Sequence, residues 1–125
     1  MAGTPSVRFE LPRSRRIKES GDFARARAEG RRLVCGCLIA NLRPRAPGAS
    51  SRLGVVTSKK IGGAVLRSRA RRLLRESFRL HQHEFGQPVD VVLVARPSIT
   101  GKKLAEVERD FLRAMSQART GAGER

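Results

Sequence analysis

Half of the net charge of this 125-residue chain is concentrated on a segment that makes up less than a quarter of its length. Residues 52–79 contain nine Lys or Arg side chains and one Glu, a net charge of +8, while the whole chain carries +16. Residues 1–51 carry +7 and residues 80–125 only +1. Because unpaired charges are costly to bury, this segment must lie on the surface of the fold, where its positive field attracts anionic polymers.

The second half of the basic segment predicts a helix with two opposite faces, from Ala64 to Gln82. At about 100° per residue, its apolar side chains fall within one arc of roughly 160° and arginines fill the opposite arc. The apolar arc consists of Leu66, Ala70, Leu73, Leu74, Phe78 and Leu80. The cationic arc consists of Arg67, Arg71, Arg72, Arg75 and Arg79, with Ser68 among them and Arg69 at one edge.

Like charges recur along the cationic arc at the i,i+4 spacing that brings helical side chains together. A face that contacts only water usually mixes charge signs, because opposite charges at this spacing stabilise a helix and like charges destabilise it. Glu76 is the one acid of this segment, and an intrahelical ion pair with Arg72 or Arg79 explains it. We therefore favour a helix that binds a polyanion over a merely solvated face.

The loop before this helix, residues 57–63, has the sequence TSKKIGG. It brings two hydroxyl groups, two ammonium groups and backbone N–H groups to a helix N-terminus, an arrangement that suits phosphates. The loop lacks the spaced glycines of a nucleotide-binding P-loop. These groups therefore indicate a nucleic-acid backbone rather than a nucleoside triphosphate.

The chain as a whole predicts an α+β fold, an α/β sandwich. Read segment by segment, the elements follow the order αββαβα, and the fold type that we predict is a small αβββαβα single domain with a central basic helix. We expect a flexible arm at residues 1–12, one domain at residues 13–118 and a flexible tail at residues 119–125. The elements are a helix from Ser20 to Glu29, a buried strand from Leu33 to Leu42, a strand from Arg52 to Ser58 that pairs with it as an antiparallel hairpin, a strand from Val89 to Ala95 and an amphipathic helix from Lys102 to Ala118.

Composition excludes several classes of protein. The longest apolar run, from Val91 to Ala95, is far shorter than the roughly 20 residues of a membrane helix, and residues 1–12 contain no apolar core of a signal peptide. Without Trp or Tyr, the core must be largely aliphatic. Cys35 and Cys37 lie one residue apart and do not make a disulfide framework. We therefore expect a reduced, cytoplasmic protein without membrane contact.

Side chains able to catalyse hydrolysis are sparse. Surface positions near a helix C-terminus explain His81 and His83, and a zinc site at the two cysteines needs two further ligands. The basic segment, with its one acid, offers no clustered carboxylates or histidine base for hydrolysis. We expect the chain to bind and position rather than to catalyse, with no tightly bound cofactor, no metal site and no small-molecule substrate.

Residues 52–79 resemble the signature of the bacterial ribonuclease P protein component. The matching motifs, in the family's order and spacing, are Ser58-Lys59-Lys60, Gly62 to Val65, Arg67-Ser68-Arg69 and Arg71 to Glu76. Weaker similarity covers Asp22-Phe23 and the strand that ends in Ala95-Arg96-Pro97. The resemblance implies a left-handed βαβ crossover, against the usual right-handed rule. It also implies the protein subunit of an endoribonuclease whose catalytic RNA, with magnesium, removes the 5′ leader of precursor tRNA.

The resemblance assigns two RNA-binding surfaces to residues of this chain. The catalytic RNA is expected on Ser58, Lys59, Lys60, Arg67, Ser68, Arg69, Arg71, Arg72 and Arg75. The precursor tRNA leader is expected in a cleft between the first helix and the sheet, on Phe23, Arg27, Cys35 and Cys37 and on the exposed face of the strand around residues 33–40. Ser68 stands where the family has Asn, and Arg27 where relatives often have a second aromatic residue. Phe23 and both thiols are also candidates for the core.

Two other classes of nucleic-acid-binding protein fit the composition. A ribosomal or ribosome-assembly RNA-binding protein would share the small size, the sandwich fold and the pI near 11.8. The motifs of residues 52–79 favour the ribonuclease P subunit over it. A DNA-architectural protein usually has an apolar wedge or a dimer-forming element, and neither is evident in the sequence.

Overall fold

The computed structural model describes residues 28, 30–82 and 88–120 of the chain. The predicted arm at residues 1–12, the leader residues Phe23 and Arg27, and His83 lie outside the described residues. The described part contains four strands, two helices and two short 3-10 turns, at Lys59–Ile61 and Pro97–Ile99. In chain order the strands and helices are β1 (Arg31–Cys35), β2 (Leu38–Pro44), β3 (Arg52–Val56), α1 (Ala64–His81), β4 (Val89–Ala95) and α2 (Leu104–Thr120).

The α+β fold class and the elements with one strong hydrophobic period are confirmed. Strand β4 has its predicted bounds, and α1 ends one residue before the predicted end, with Gln82 as its C-cap. Helix α2 is shifted by two residues toward the C-terminus, and β3 ends at Val56 rather than at Ser58. In the two helices most apolar side chains recur with the helical period, and β4 is a short, mostly apolar run, so pattern and length together locate these elements.

The prediction of one continuous strand from Leu33 to Leu42 is wrong. The segment forms two strands, β1 and β2, which pair as an antiparallel hairpin with Cys35 opposite Leu38. Gly36 makes the turn possible, because its φ of 58° lies in the left-handed region that glycine adopts without strain. The apolar residues on both sides of Gly36 conceal this turn in the sequence.

The prediction that β3 pairs with the strand before it is also wrong. The strand order is β1-β2-β4-β3, with β2 antiparallel and β3 parallel to β4. Helix α1 connects β3 to β4, as parallel neighbours require a crossover. Asp90 of β4 is buried directly opposite Arg52 of β3 and accepts two hydrogen bonds, of 2.8 and 2.9 Å, from its guanidinium. This buried pair favours the observed pairing, and the left-handed sense of the crossover stays a prediction.

Both helices cover the same face of the sheet. Alternate side chains of all four strands point into this layer and pack against Phe78 of α1 and Phe111 of α2, which are fully buried. Apart from these rings the core of the described part is aliphatic, as the composition predicts. The sheet contributes Leu33, Cys35, Leu38, Ala40, Leu42, Leu53, Val91, Leu93 and Ala95.

The remaining strand side chains belong to the opposite face of the sheet. Val92 is fully buried at its centre, with Val56 and Val94 packed against it. Toward the β1 edge this face is more open, since Val34 is 46% exposed and Arg32 is exposed. The sheet therefore has a second, partly apolar surface on the side away from the two described helices.

Candidate nucleic-acid interface

Helix α1 packs on the sheet through most of its predicted apolar face. Ala70, Leu73, Leu74 and Phe78 are buried, together with Ser77, whose hydroxyl donates to the carbonyl of Leu73 at 3.0 Å. The apolar arc does not extend to the first turn, however. The sequence predicts Leu66 on the buried face, but this side chain is 41% exposed, and its neighbour Val65 is 81% exposed. The predicted apolar arc is confirmed at Ala70, Leu73, Leu74 and Phe78 and wrong at Leu66, while Leu80 is half-buried.

Two arginines of α1 are held in place by hydrogen bonds to their own helix and to the loop before it. Arg67 donates to the carbonyl of Gly62 at 2.7 Å. Arg71 donates to the hydroxyl groups of Thr57, at 2.9 Å, and Ser68, at 3.2 Å. A guanidinium has five N–H donors, so each side chain keeps donors for a further acceptor. Because these side chains are already ordered, binding a phosphate there costs less conformational entropy.

Arg69 lies on the other flank of α1 and reaches the segment before α2. Its guanidinium donates to the carbonyl of Lys102 at 2.7 Å, which ties two basic segments of the chain together. Glu106, in the first turn of α2, accepts a hydrogen bond from the backbone N–H of Lys103 at 2.9 Å, and this bond lowers the pKa of its carboxyl. The carboxylate of Glu106, which lies next to Lys102 and Lys103, is therefore hydrogen-bonded to the backbone.

The cationic arc is shorter than the sequence predicts. Arg79 pairs with Glu76 through contacts of 2.5 to 3.2 Å, so the predicted intrahelical ion pair is confirmed and this guanidinium is engaged with a carboxylate. Arg72 and Ser68 are exposed, and Arg75 is half-buried. We call the resulting set the α1 cationic surface: Lys59, Lys60, Arg67, Arg69, Arg71, Arg72 and Arg75.

The loop before α1 is held in one conformation by hydrogen bonds and by a buried side chain. Ser58 caps the 3-10 turn by accepting a hydrogen bond from the backbone N–H of Lys60 at 3.3 Å. Ile61 is buried and anchors the turn in the core, and its carbonyl accepts a hydrogen bond of 3.4 Å from the hydroxyl of Thr100. The side chains of Lys59 and Lys60 are exposed. The turn thus presents two ammonium groups from a fixed backbone.

Gly62 joins this turn to α1 with a φ of 139°, a conformation that side chains rarely adopt. A Cβ atom at this position would lie 2.5 Å from Cδ1 of Leu66, the end of an exposed side chain that can move aside, so the backbone conformation is what favours glycine here. Gly63 is the N-cap of α1 and provides no side-chain cap, and the first turn contains no acidic residue. The N-terminal end of the helix is therefore free of negative side chains.

Cys35 and Cys37 are core residues. Both are free thiols, 3% and 1% exposed, and they belong to the layer between the sheet and the helices. Burial raises the pKa of the Cys37 thiol to about 12, and a hydrogen bond to Asp110 acts in the same direction. Burial also raises the pKa of Cys35. The expectation that these side chains contact the leader is wrong, because alternation along β1 turns Val34 and Arg32, not the thiol, to the open face.

His81 connects the two helices. Its Nε2 lies 2.5 Å from a carboxylate oxygen of Glu108 on α2, and its ring centroid is 6.3 Å from that of Phe111. The expected role as a surface residue at a helix end is thus replaced by a half-buried contact between α1 and α2. Sequence periodicity could not reveal this partner, which is 27 residues away.

The α1 cationic surface has no metal-binding cluster to act with it in the described part of the chain. Among residues 28, 30–82 and 88–120, no three His, Cys, Asp or Glu side chains form a group that could hold a metal ion. Within the same part of the chain, no helix is both long enough and apolar enough to cross a membrane.

The chemistry that the α1 cationic surface can provide is the binding of phosphates by ordered guanidinium groups and exposed ammonium groups.

Fold and surface together define a small α+β protein of the nucleic-acid-binding class, in which one helix packs on the sheet and carries arginines on its outer side. Comparison with known proteins identifies the family. The ribonuclease P family model matches residues 11–119. The chain therefore belongs to the ribonuclease P protein family, as the motifs between Ser58 and Glu76 predict.

Bacterial relatives support this assignment along most of the chain. The chain is 37% identical over 111 residues to the ribonuclease P protein component of Desulfovibrio desulfuricans, covering 88% of this chain and 82% of the relative. It is 39% identical over 88 residues to the corresponding protein of Desulfatibacillum aliphaticivorans, covering 70% and 74% of the two chains.

Solved structures are similar over nearly their whole length. The RNase P protein of Staphylococcus aureus superposes with a TM-score of 0.75 at 26% identity, covering 84% of this chain and 95% of that one. The RNase P protein of Thermotoga maritima superposes with a TM-score of 0.70 at 25% identity, covering 82% and 96%. The chain is thus a protein subunit of ribonuclease P, which functions with an RNA subunit in tRNA 5′ processing. Nothing in these matches favours a ribosomal or ribosome-assembly protein.

Proposed function

We propose that the chain binds the catalytic RNA of ribonuclease P through the α1 cationic surface and the 5′ leader of precursor tRNA through the opposite side of the sheet. The observation that carries the first part is the ordering of Arg67, Arg69 and Arg71 by hydrogen bonds to neighbouring oxygens at 2.7 to 3.2 Å. Ordered guanidinium groups recognise phosphates of a folded RNA with little loss of entropy.

The leader is assigned to the open face of the sheet, where Val34 and Arg32 are exposed at the β1 edge. An apolar side chain beside a cationic one fits a single-stranded nucleotide, whose base and phosphate need both kinds of contact. Phe23 and Arg27, which lie outside the described residues, remain predicted leader contacts on sequence resemblance. This side of the sheet faces away from α1, so both RNAs can be bound together.

Hydrolysis is assigned to the RNA subunit, with no catalytic residue in this chain. Magnesium bound by the RNA would supply an activated water and stabilise the departing oxygen. The protein positions the two RNAs, and the free thiols Cys35 and Cys37 are consistent with action in the reducing cytoplasm.

Reconstitution tests this proposal. The purified chain is combined with a bacterial ribonuclease P RNA and a precursor tRNA at a magnesium concentration too low for the RNA alone, and 5′ cleavage is followed. We expect the chain to restore cleavage, and to increase the affinity for precursor tRNA but not for mature tRNA. Absence of any effect on cleavage would contradict the role as a subunit, and equal effects on both tRNAs would contradict the leader assignment.

A further inference from the structure

Two adjacent large apolar side chains are exposed in the middle of a basic surface. Val65 is 81% exposed and Leu66 is 41% exposed, both in the first turn of α1. Single exposed apolar residues are common on proteins and need no explanation. This pair differs because it interrupts the one segment of the chain in which charge is concentrated.

The local backbone fixes the position of this pair. Leu66 packs against Gly62, whose lack of a Cβ leaves room for the Leu66 side chain. Arg67 binds the carbonyl of the same glycine at 2.7 Å. Val65 precedes these two residues in the same turn, and its side chain is 81% exposed beside them.

The surroundings of the pair define what can cover it. Lys59 and Lys60 are exposed on the preceding turn, Arg67 follows on the helix, and the first turn of α1 contains no acidic residue. A partner at this position must bring negative charge and an apolar surface at the same time. An RNA nucleotide that is not stacked in a helix has both, a phosphate and the face of its base or ribose.

We propose that Val65 and Leu66 form an apolar contact for an unpaired nucleotide of the catalytic RNA, with its phosphates on the flanking Lys and Arg side chains. This inference rests on the proposed function, because it adds a non-ionic contact to the same interface. Folded RNA exposes such nucleotides in loops and bulges, whereas the bases of a DNA duplex are stacked.

The contact has a distinct signature in the salt dependence of binding. A cation that neutralises a phosphate releases counterions, so its removal lowers the slope of log affinity against log salt concentration. An apolar contact releases none. Loss of the Val65 contact should therefore weaken binding at every salt concentration and leave the slope unchanged.

The substitution Val65→Thr tests this inference, since threonine has almost the same shape and the same branching at Cβ but replaces a methyl group by a hydroxyl. We expect the affinity for ribonuclease P RNA to fall by about three- to ten-fold, as for the loss of a buried apolar group. The salt slope and the melting temperature should not change, because the side chain is exposed in the free protein. Ala105→Ser, which adds a hydroxyl at an exposed apolar residue in the first turn of α2, is the control and should bind the RNA as the wild type does.

Several outcomes would overturn the inference without affecting the proposed function. These are an unchanged affinity of the Val65→Thr protein, an equal loss in the Ala105→Ser protein, a reduced salt slope, or an equal loss of affinity for a mixed-sequence DNA duplex. Failure of the proposed function has a different readout. In that case the wild-type chain itself would neither bind the catalytic RNA nor restore cleavage.

Discussion

The carboxylate of Asp110 accepts a hydrogen bond of 3.0 Å from the backbone N–H of Cys37, 73 residues earlier in the chain. Asp110 lies on α2 and Cys37 lies in the turn between β1 and β2, so this bond fastens the edge hairpin to the helical layer. The guanidinium of Arg96 supports the same turn by donating to the carbonyl of Gly36 at 3.0 Å. The open face of β1, where the leader is proposed to bind, depends on this anchor.

Replacement of Gly36 tests the anchor. A Cβ atom at this position would lie 2.2 Å from a carboxylate oxygen of Asp110, and the φ of 58° disfavours alanine. We expect Gly36→Ala to lower the free energy of unfolding by about 2–4 kcal/mol, from backbone strain together with a displaced buried carboxylate. Chemical denaturation measures this difference.

Gly48→Ala is the control for backbone strain alone, since Gly48 has a φ of 88° and a Cβ atom added there would meet no other atom within 4 Å. It should cost about 1 kcal/mol. Equal costs for the two substitutions would show that the contact with Asp110 contributes nothing.

The buried thiol of Cys37 should be unreactive in the folded protein. Its pKa of about 12, raised above 9.0 mainly by burial, leaves almost no thiolate at pH 9. Because the folded-state pKa is the higher one, its contribution to stability is present below pH 9 and is lost as the pH rises from 9 to about 12. In a Cys35→Ser background, alkylation at pH 9 should be much slower in buffer than in denaturant. Similar rates in both would contradict the burial.

Much of the fold could be predicted from the sequence, because α1 and α2 have a clear helical period and β4 is a short apolar run that ends before Pro97. The strand pairing could not, since it depends on contacts between distant residues, such as Arg52 with Asp90 across the parallel pair. The turn at Gly36 is concealed for a different reason. Both strands that flank it are apolar, so only the left-handed glycine marks the boundary.

In the candidate site, too, some features could be predicted from the sequence and others could not. Spacing and charge correctly place the cationic arc on the side of α1 opposite to the core. They cannot indicate that Arg69 binds the carbonyl of Lys102 or that Leu66 lies over Gly62, because these contacts depend on the packing of loops. The assignment of the thiols to the leader is wrong because alternation along β1 points Cys35 into the core, and Cys37 is buried in the turn beside Asp110.

Arg69 and Arg72 should respond differently to alanine substitution, although both are arginines of α1. Arg72 is exposed, and its loss should reduce RNA affinity without changing stability. Arg69 also binds the carbonyl of Lys102, so Arg69→Ala should in addition lower the free energy of unfolding by about 0.5–1.5 kcal/mol, the contribution of one hydrogen bond. Melting curves and RNA titrations of both variants provide the comparison. Equal stability of the two proteins would mean that the contact with Lys102 is not significant.

The affinity for catalytic RNA should fall steeply with salt. If the α1 cationic surface neutralises roughly five to eight phosphates, log affinity should decrease linearly with log salt with a slope of about −4 to −7. Substitution of Arg67 by alanine should reduce the magnitude of that slope by about one. A response that is nearly flat would contradict an interface dominated by phosphates.

The arginine face of α1, rather than the general positive charge of the chain, is what we propose to bind the catalytic RNA. The decisive comparison is between the dissociation constants for that RNA of two double variants with equal loss of charge, Arg67→Ala/Arg72→Ala on α1 and Arg109→Ala/Arg113→Ala on the exposed side of α2. We predict that the α1 variant binds about ten-fold or more weakly, as expected for two lost phosphate contacts, and that the α2 variant stays within about two-fold of the wild type. Equal weakening of both variants, or none in the α1 variant, would contradict the assignment of the RNA to this face.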